Sequence, residues 1–287
     1  MKPASFAYAK ARSADHAIEL LAGADGDAHV LAGGQSLLAG LNMRLSAPAL
    51  LVDINGIEEL CDISLENGEV RIGALVRHAE AERSPVIAQH APLFAMALPQ
   101  IAHPAIRNRG TVGGSIAFAD PAAELPACLL ALDGAVDIAG PGGRRTVKAD
   151  DFFQDLYQTA LGEQDILTGV RIPMAGGETR AGFAELARRH GDYAMVGLAA
   201  CARAKEGELA DLRLVFFGVD LVPLRAAGAE GALMGIEIDG SRIEAAVAML
   251  DHDVDPPDDV QADGATKKYL AGVLLRRVIR QILESAP

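Results

Sequence analysis

Apolar and polar positions alternate along this chain in two periods, and each change of period marks an element. Phe6 and Tyr8 alternate with small residues, as in a strand. Ser13 stands as an N-cap before Ile18, Leu20 and Leu21, which predicts a helix ending near Gly23. Short apolar runs at 29–32 and 50–54 predict buried strands, with a helix over 36–45 that stops before Pro48. Residues 61–74 predict a hairpin: Ile63 and Leu65 face Val70 and Ile72 across Asn67-Gly68, a pair suited to a type I′ turn. Helical periodicity covers 76–102, interrupted at Pro85 and Pro92, and returns over 122–131 with Leu125, Leu129 and Leu130. A second hairpin follows around Pro141-Gly142-Gly143, then a strand over 166–172.

Periodicity lapses at 173–178, a glycine-rich polar stretch that reads as a domain boundary. Beyond it the pattern predicts strands near 181–187, 197–204 and 211–218, and helices near 226–233 and 241–250. An acidic, proline-broken loop (251–259) precedes a last helix over 265–284, with Leu270, Val273, Leu274, Val278 and Ile282 on one side. Strands joined by hairpins as well as through helices fit an α+β chain better than a doubly wound sheet.

Composition narrows the function classes. At 287 residues, half of them hydrophobic, the chain can build a sizeable core without disulfides or metals. A net charge of −13 argues against nucleic acid, which requires a basic footprint. The arginines cluster locally, Arg107 with Arg109 and Arg188 with Arg189, either at a site or on a solvated surface. Cys61, Cys128 and Cys201 lie far apart among apolar neighbours and are expected to be small buried hydrophobes, not iron–sulfur or zinc ligands. The seven histidines show no metal-binding spacing, so no metal is expected on this chain. The opening segment lacks a signal-peptide core and no apolar run reaches spanning length, so a soluble, cytoplasmic protein is expected.

Two glycine pairs carry the candidate chemistry: Gly33-Gly34-Gln35-Ser36 after an apolar run, and Thr111-Val112-Gly113-Gly114-Ser115 after the basic stretch 106–110. Glycine permits positive φ and close approach of a ligand to the backbone, and consecutive amides beside a serine hydroxyl suit phosphate oxygens. A single such pair is commonly a turn; two of the same make favour a shared anionic ligand, of which a dinucleotide pyrophosphate is the natural case. Neither the Rossmann G-x-G-x-x-G nor the P-loop pattern is present.

These segments resemble the FAD-binding medium subunit of the molybdenum hydroxylases, the group that includes bacterial carbon monoxide dehydrogenases, quinoline and nicotine oxidoreductases, and the flavin domain of xanthine dehydrogenase. The resemblance runs through AGGQSL at 32–37, LVDI at 51–54, IRNRGTVGGSIAFADPAAELPA at 106–127, ILTGVRIP at 166–173 and ARRHGDYAMVG at 187–197. It implies a two-lobed FAD-binding domain of the vanillyl-alcohol-oxidase (PCMH) type over residues 1–175. A smaller antiparallel-sheet-plus-helices domain of the carbon monoxide dehydrogenase flavoprotein type would follow over 176–287.

The resemblance also implies site residues. Val30, Leu31, Ala32, Gly33, Gly34, Gln35, Ser36 and Leu37 would form one wall of the FAD site, with 33–36 at the diphosphate. Thr111, Val112, Gly113, Gly114 and Ser115 would form the opposing wall. Ile101 and Leu167 match apolar positions that touch the cofactor; read alone, each is a core residue. Glu124 matches an acidic position on the adenosine side, although a carboxylate in a first helical turn also suits the helix dipole, and Asp120 shares that ambiguity. In the stretch 187–193 a cation, Arg188 or its neighbour, would stabilise negative charge on the reduced ring, with Asp192 beside it. Tyr193 would stand over one flavin face and gate access to it, the one catalytic assignment. Nothing favours a covalent flavin link at His29, His103 or Cys128, so FAD is expected to be noncovalent.

The function implied is the flavoprotein subunit of a heterotrimer, doubled into a dimer of heterotrimers. A large molybdopterin subunit would oxidise substrate, a small [2Fe–2S] subunit would relay single electrons, and FAD here would pass them to an external acceptor. Two rivals remain: a self-sufficient FAD-dependent oxidoreductase, and a non-catalytic nucleotide-binding assembly module.

Overall fold

In the computed structural model, which describes residues 2–205 and 208–284, the chain opens as strand, helix, strand, helix, strand. β1 (Ala7–Lys10), β2 (Ala28–Leu31) and β3 (Leu50–Asp53) make a parallel sheet with β3 central, linked by α1 (Ala14–Ala22) and α2 (Leu37–Met43). Parallel neighbours need crossovers, and the two helices supply them. Ser13 accepts the amide of His16 as the cap of α1. Met1 and residues 285–287, the outer ends of the two expected domains, lie outside the described residues.

β4 (Ile63–Glu66) and β5 (Glu69–Gly73) form the first hairpin; Asn67 and Gly68 both have positive φ, as a type I′ turn requires. The proline-interrupted stretch becomes α3 (His78–Glu82), α4 (Pro85–His90) and α5 (Pro92–Ala97), then α6 (Pro104–Arg107). Proline opens the last three of these, where its missing N–H costs nothing. The second glycine segment is itself helical, α7 (Val112–Phe118), and α8 (Glu124–Ala131) follows.

β6 (Ala135–Gly140) and β7 (Gly143–Lys148) form the second hairpin. Neither α9 (Ala149–Phe152) nor the small pair β8 (Phe153–Asp155) and β9 (Gln158–Thr159) is announced by the sequence pattern. β10 (Ile166–Pro173) then inserts between β5 and β6, completing an antiparallel sheet of order β4-β5-β10-β6-β7.

The C-terminal part is a meander of β11 (Thr179–Leu186), β12 (Val196–Lys205), β13 (Glu208–Phe217) and β14 (Leu224–Arg225), with α10 (Ala227–Leu233), α11 (Gly240–Asp253) and α12 (Gly264–Glu284). Both faces of this sheet are buried, and the period of two assigns them. Ala181, Phe183, Ala199, Val215 and Phe217 join the core of the preceding part, against α5 and α8. Val196, Leu198, Ala200, Leu214 and Phe216 pack on the helices of their own part. Phe183 and Phe217 stack with ring centroids 5.8 Å apart on the first of these faces.

The cysteine expectation needs one correction. Cys128 is buried and Cys201 partly so, but Cys61 is exposed, because it follows a short 3-10 turn at the protein surface. Among the described residues no helix is long and apolar enough to cross a membrane, and no cluster of His, Cys, Asp and Glu has metal-binding geometry.

Candidate functional site

The two glycine segments meet. Gly33 is buried where a Cβ would overlap the Arg109 carbonyl oxygen and lie 2.9 Å from the Gly110 Cα. Gly34 has φ +74°, which L side chains rarely adopt. The chain turns there between β2 and α2, and the amides of Gly33, Gly34, Gln35 and Ser36 find no partner among the described residues. Ser36 makes no capping bond either. Gln35 folds inward, its Nε2 donating to the Gly33 carbonyl at 3.1 Å, so its side chain braces the turn.

Two residues not singled out from the sequence fasten this junction. Asn55 Nδ2 donates to the carbonyls of Ala32 (2.8 Å) and Leu31 (3.3 Å). Arg77 Nη2 donates to Asn55 Oδ1 at 2.6 Å, and its Nη1 donates to the Arg109 carbonyl. The clamp therefore joins both glycine segments through residues 22 positions apart. The one local signal was an asparagine directly after the 50–54 apolar run; nothing in sequence links it to Arg77.

The second segment is built differently from the expectation of exposed donors. Gly113 N donates to Ala74 O, Gly114 N to Thr111 Oγ1, Ser115 N to Thr111 O and Val112 N to Val76 O, all at 2.9–3.0 Å. The neighbouring 74–76 segment engages the amides of Gly113 and Val112, and the helix with Thr111 as N-cap engages those of Gly114 and Ser115. Gly113 is required for close packing: a Cβ there would sit 2.5 Å from the Ala74 Cβ. Beneath lies His78, whose Nε2 is 2.9 Å from the Thr111 carbonyl and whose amide donates to Gly110 O. Burial pushes His78 down to about 4, so the ring is neutral, and its Nδ1 has no partner among the described residues. Of the expected wall, Val30, Leu31, Ala32 and Leu37 are half-buried along the turn, while Ile101 and Leu167 lie inside the core with 7% and 6% of their surface exposed.

From the glycine junction α7 runs seven residues, about 10 Å at 1.5 Å per residue, to an acidic and aromatic end. Asp120 follows it and accepts the amide of Ala122 at 2.9 Å; Glu124 opens α8. Glu185, at the end of β11, lies within electrostatic reach of Glu124, and its Oε2 is buried without a partner among the described residues. Burial, then the neighbouring Asp120 charge, pushes Glu124 up to about 7; burial, then Glu124, pushes Glu185 up to about 8. Burial likewise raises Asp120. Two buried carboxylates so placed do not both ionise easily, which makes this end a place that can hold a proton near neutrality.

Tyr193 and Tyr157 stand beside these acids. Tyr193 exposes 60% of its surface, and its hydroxyl is raised by desolvation and by the charges of Asp120, Tyr157 and Glu124. Tyr157, at φ +56° between β8 and β9, packs its ring 5.0 Å from Phe118 at the end of α7. Sequence reasoning missed Tyr157, Phe118 and Glu185, because only the fold brings these segments to one place.

The turn carrying Tyr193 is fastened on both sides. Gly191 packs against Ala102 and His103, where a Cβ would lie 2.7 Å from the Ala102 carbonyl. Arg107 holds that carbonyl (3.2 Å) and that of Ile101 (2.9 Å) while its Nε donates to Glu82 at 2.9 Å. On the other side Arg188 Nη2 donates to the carbonyls of Val260 (3.2 Å) and Gln261 (2.9 Å), so this cation faces the acidic loop. Asp192 is exposed, its amide donating to Arg189 O.

Free amides at one end and polar, aromatic and acidic groups at the other suit an elongated ligand with an anionic middle and a flat polar ring, the shape of a dinucleotide. Residues 4–175 match the family of the FAD binding domain in molybdopterin dehydrogenase, and residues 181–282 match the CO dehydrogenase flavoprotein C-terminal domain. The 6-hydroxypseudooxynicotine dehydrogenase complex subunit alpha of Paenarthrobacter nicotinovorans is 37% identical over 100% of this chain and 97% of its own. The nicotine 6-hydroxylase medium subunit of the same organism is 37% identical over 97% of this chain and 98% of its own. A carbon monoxide dehydrogenase chain of known structure from Hydrogenophaga pseudoflava superposes with a TM-score of 0.96 at 36% identity, covering 98% of each chain.

Proposed function

This chain belongs to the FAD-binding medium subunits of the molybdenum hydroxylases, and from that membership we propose how its own residues hold the cofactor and meet their partners. FAD is the cofactor, and the chain is an electron-transferring subunit of an oxidoreductase whose substrate is oxidised elsewhere. When bound, the flavin supplies the conversion of single electrons from [2Fe–2S] clusters into two-electron delivery to an external acceptor.

The amides of Gly33, Gly34, Gln35 and Ser36, four donors unpartnered among the described residues, carry this reading. Adjacent free donors at a turn would bind the diphosphate oxygens without any cationic side chain, and the Asn55–Arg77 clamp holds the turn in place. Thr111 to Ser115 form the facing wall by close approach, since the amides of Val112 to Ser115 are engaged. Val30, Leu31, Ala32 and Leu37 line the turn, and Ile101 and Leu167 back the site from the core. Glu124, with Asp120 and Glu185 behind it, offers carboxyl groups that can donate or accept at a polar edge. Tyr193, flanked by Arg188 and Asp192, covers the exposed face and limits access to it.

The division into residues 1–175 and 176–287, a noncovalent flavin, and a cytoplasmic compartment belong to the same proposal. So do a large molybdopterin-bearing partner, a small [2Fe–2S] partner and their pairing as a dimer of heterotrimers; relatives named as subunits of multi-subunit complexes support it. The deciding experiment substitutes Gly33→Ala and Gly34→Val and measures flavin absorbance in the purified protein. Loss of most of the flavin from both is expected, and full yellow colour in either would overturn the diphosphate assignment.

A further inference from the structure

We propose that Lys267 and Asp259 form a positioning pair that sets the turn carrying Tyr193, and through it the access of the electron acceptor. This rests on the reading of Tyr193 above.

The side chain of Lys267 is 3% exposed, and a lysine so buried persists only when it is paired. Its position is unfavourable for the helix that carries it, because the first turn of α12 disfavours a cation. What it gains are two bonds: Nζ to Asp259 Oδ2 at 2.7 Å and Nζ to the Gly218 carbonyl at 3.1 Å.

Each bond continues toward Tyr193. Asp259 Oδ1 accepts the amides of Gln261 (2.7 Å) and Ala262 (3.0 Å), which closes a turn within the acidic loop. That turn presents the carbonyls of Val260 and Gln261 to Arg188, and Gln261 Nε2 to the Tyr193 carbonyl at 3.4 Å. Burial alone would raise the Asp259 carboxyl; its bonds from Lys267 and the two amides outweigh this and lower it. On the other branch, Gly218 lies so close to the Ala194 and Met195 carbonyls that a Cβ would be 3.1 and 2.8 Å from them. Its amide donates to Pro121 O at 2.8 Å, next to Asp120. One ammonium therefore joins α12, the acidic turn, the residues after Tyr193 and the acid end of the site, while none of these contacts touches the glycine segments.

The test uses the complete complex. Lys267→Met should keep the wild-type flavin content and the wild-type rate of reduction by substrate. Reoxidation by oxygen should change at least threefold and the KM for the acceptor should shift, with the KM for substrate constant. The double variant with Tyr193→Ala should add nothing beyond Tyr193→Ala alone, a non-additivity that general loosening of the fold would not produce. Asp259→Asn, which keeps the shape and weakens the pair, should move reoxidation in the same direction and decides the matter if Lys267→Met fails to fold. Lys268→Met, whose amino group reaches the Asp251 carbonyl at 3.3 Å, serves as control and should behave as wild type. Wild-type reoxidation in Lys267→Met and Asp259→Asn, with Tyr193→Ala altered, would overturn the inference alone. A silent Tyr193→Ala would overturn both it and the reading of Tyr193 on which it rests.

Discussion

Gly113 and Gly114 are neighbours in one motif and differ in what they protect. A side chain at 113 would meet the backbone and Cβ of Ala74 at 2.5–2.7 Å, and a backbone cannot swing aside. At 114 it would meet the Thr111 hydroxyl at 2.7 Å, a side chain that can give way at the cost of a cap. Gly113→Ala should therefore destabilise by about 1–3 kcal/mol, as overpacking does, and Gly114→Ala by less, measured by urea denaturation. Equal losses would mean that the two positions are equivalent after all. The carboxylates at the other end give a pH dependence with a definite sign. Glu124 and Glu185 are held at about 7 and about 8 against an ordinary 4.5, so the ligand-free folded protein binds these protons more tightly than the unfolded chain. That stabilisation is complete below pH 4.5 and is lost as pH rises through 7 to 8. The thermal midpoint of the ligand-free protein should fall across this window, and Glu185→Gln should flatten the fall; a wild-type midpoint constant over the window would contradict the buried pair.

Elements in the C-terminal part depend on one close approach between helix and sheet. α12 crosses β11 at Gly182, where a Cβ would sit 2.8 Å from Val278 Cγ1 and 3.0 Å from the Val278 carbonyl. The carbonyl cannot move without breaking the helix, so Gly182→Val should push α12 off the sheet and cost about 1–3 kcal/mol. Hydrogen exchange should then accelerate in β11, β12 and α12 while the parallel sheet of β1, β2 and β3 keeps its protection. Uniform loss of protection across the whole chain would show instead that the parts unfold as one unit.

At the scale of the molecule, the sheet of β11–β13 is a shared wall. Its Phe183 and Phe217 face belongs to the core of the preceding part, and the opposite face belongs to α10 and α12, with α11 packed on both helices. Tyr193 leaves this wall beside Asp120 and Glu124, so the candidate site needs both parts of the chain. The chain has no metal-binding cluster among its described residues, and its family role is to pass electrons that another subunit supplies. Expressed alone it should bind FAD and fail to oxidise any substrate of the complete complex, with turnover appearing only when its partner subunits are added. Substrate oxidation by the isolated chain, followed spectrophotometrically, would favour the self-sufficient enzyme.

Local pattern was enough wherever an element is held by its own neighbours. The Asn67-Gly68 hairpin, the proline-started helices, the capped first helix and the glycine turn at 33–36 were all legible, because turn chemistry, capping and φ preference act over a few residues. The family resemblance was legible for the same reason: its motifs are contiguous. The sequence left undecided everything that depends on distant segments meeting. The pattern predicts that 166–172 is a strand but not that it inserts between β5 and β6; Arg77 and Asn55, or Lys267 and Gly218, carry no mark of their pairing. Second-segment glycines looked like exposed donors, yet helix formation and Ala74 occupied them. Hydrogen-bond partners, and the burial that shifts a carboxyl from 4.5 to about 7, exist only once the chain has excluded water, and that exclusion is a property of the tertiary structure.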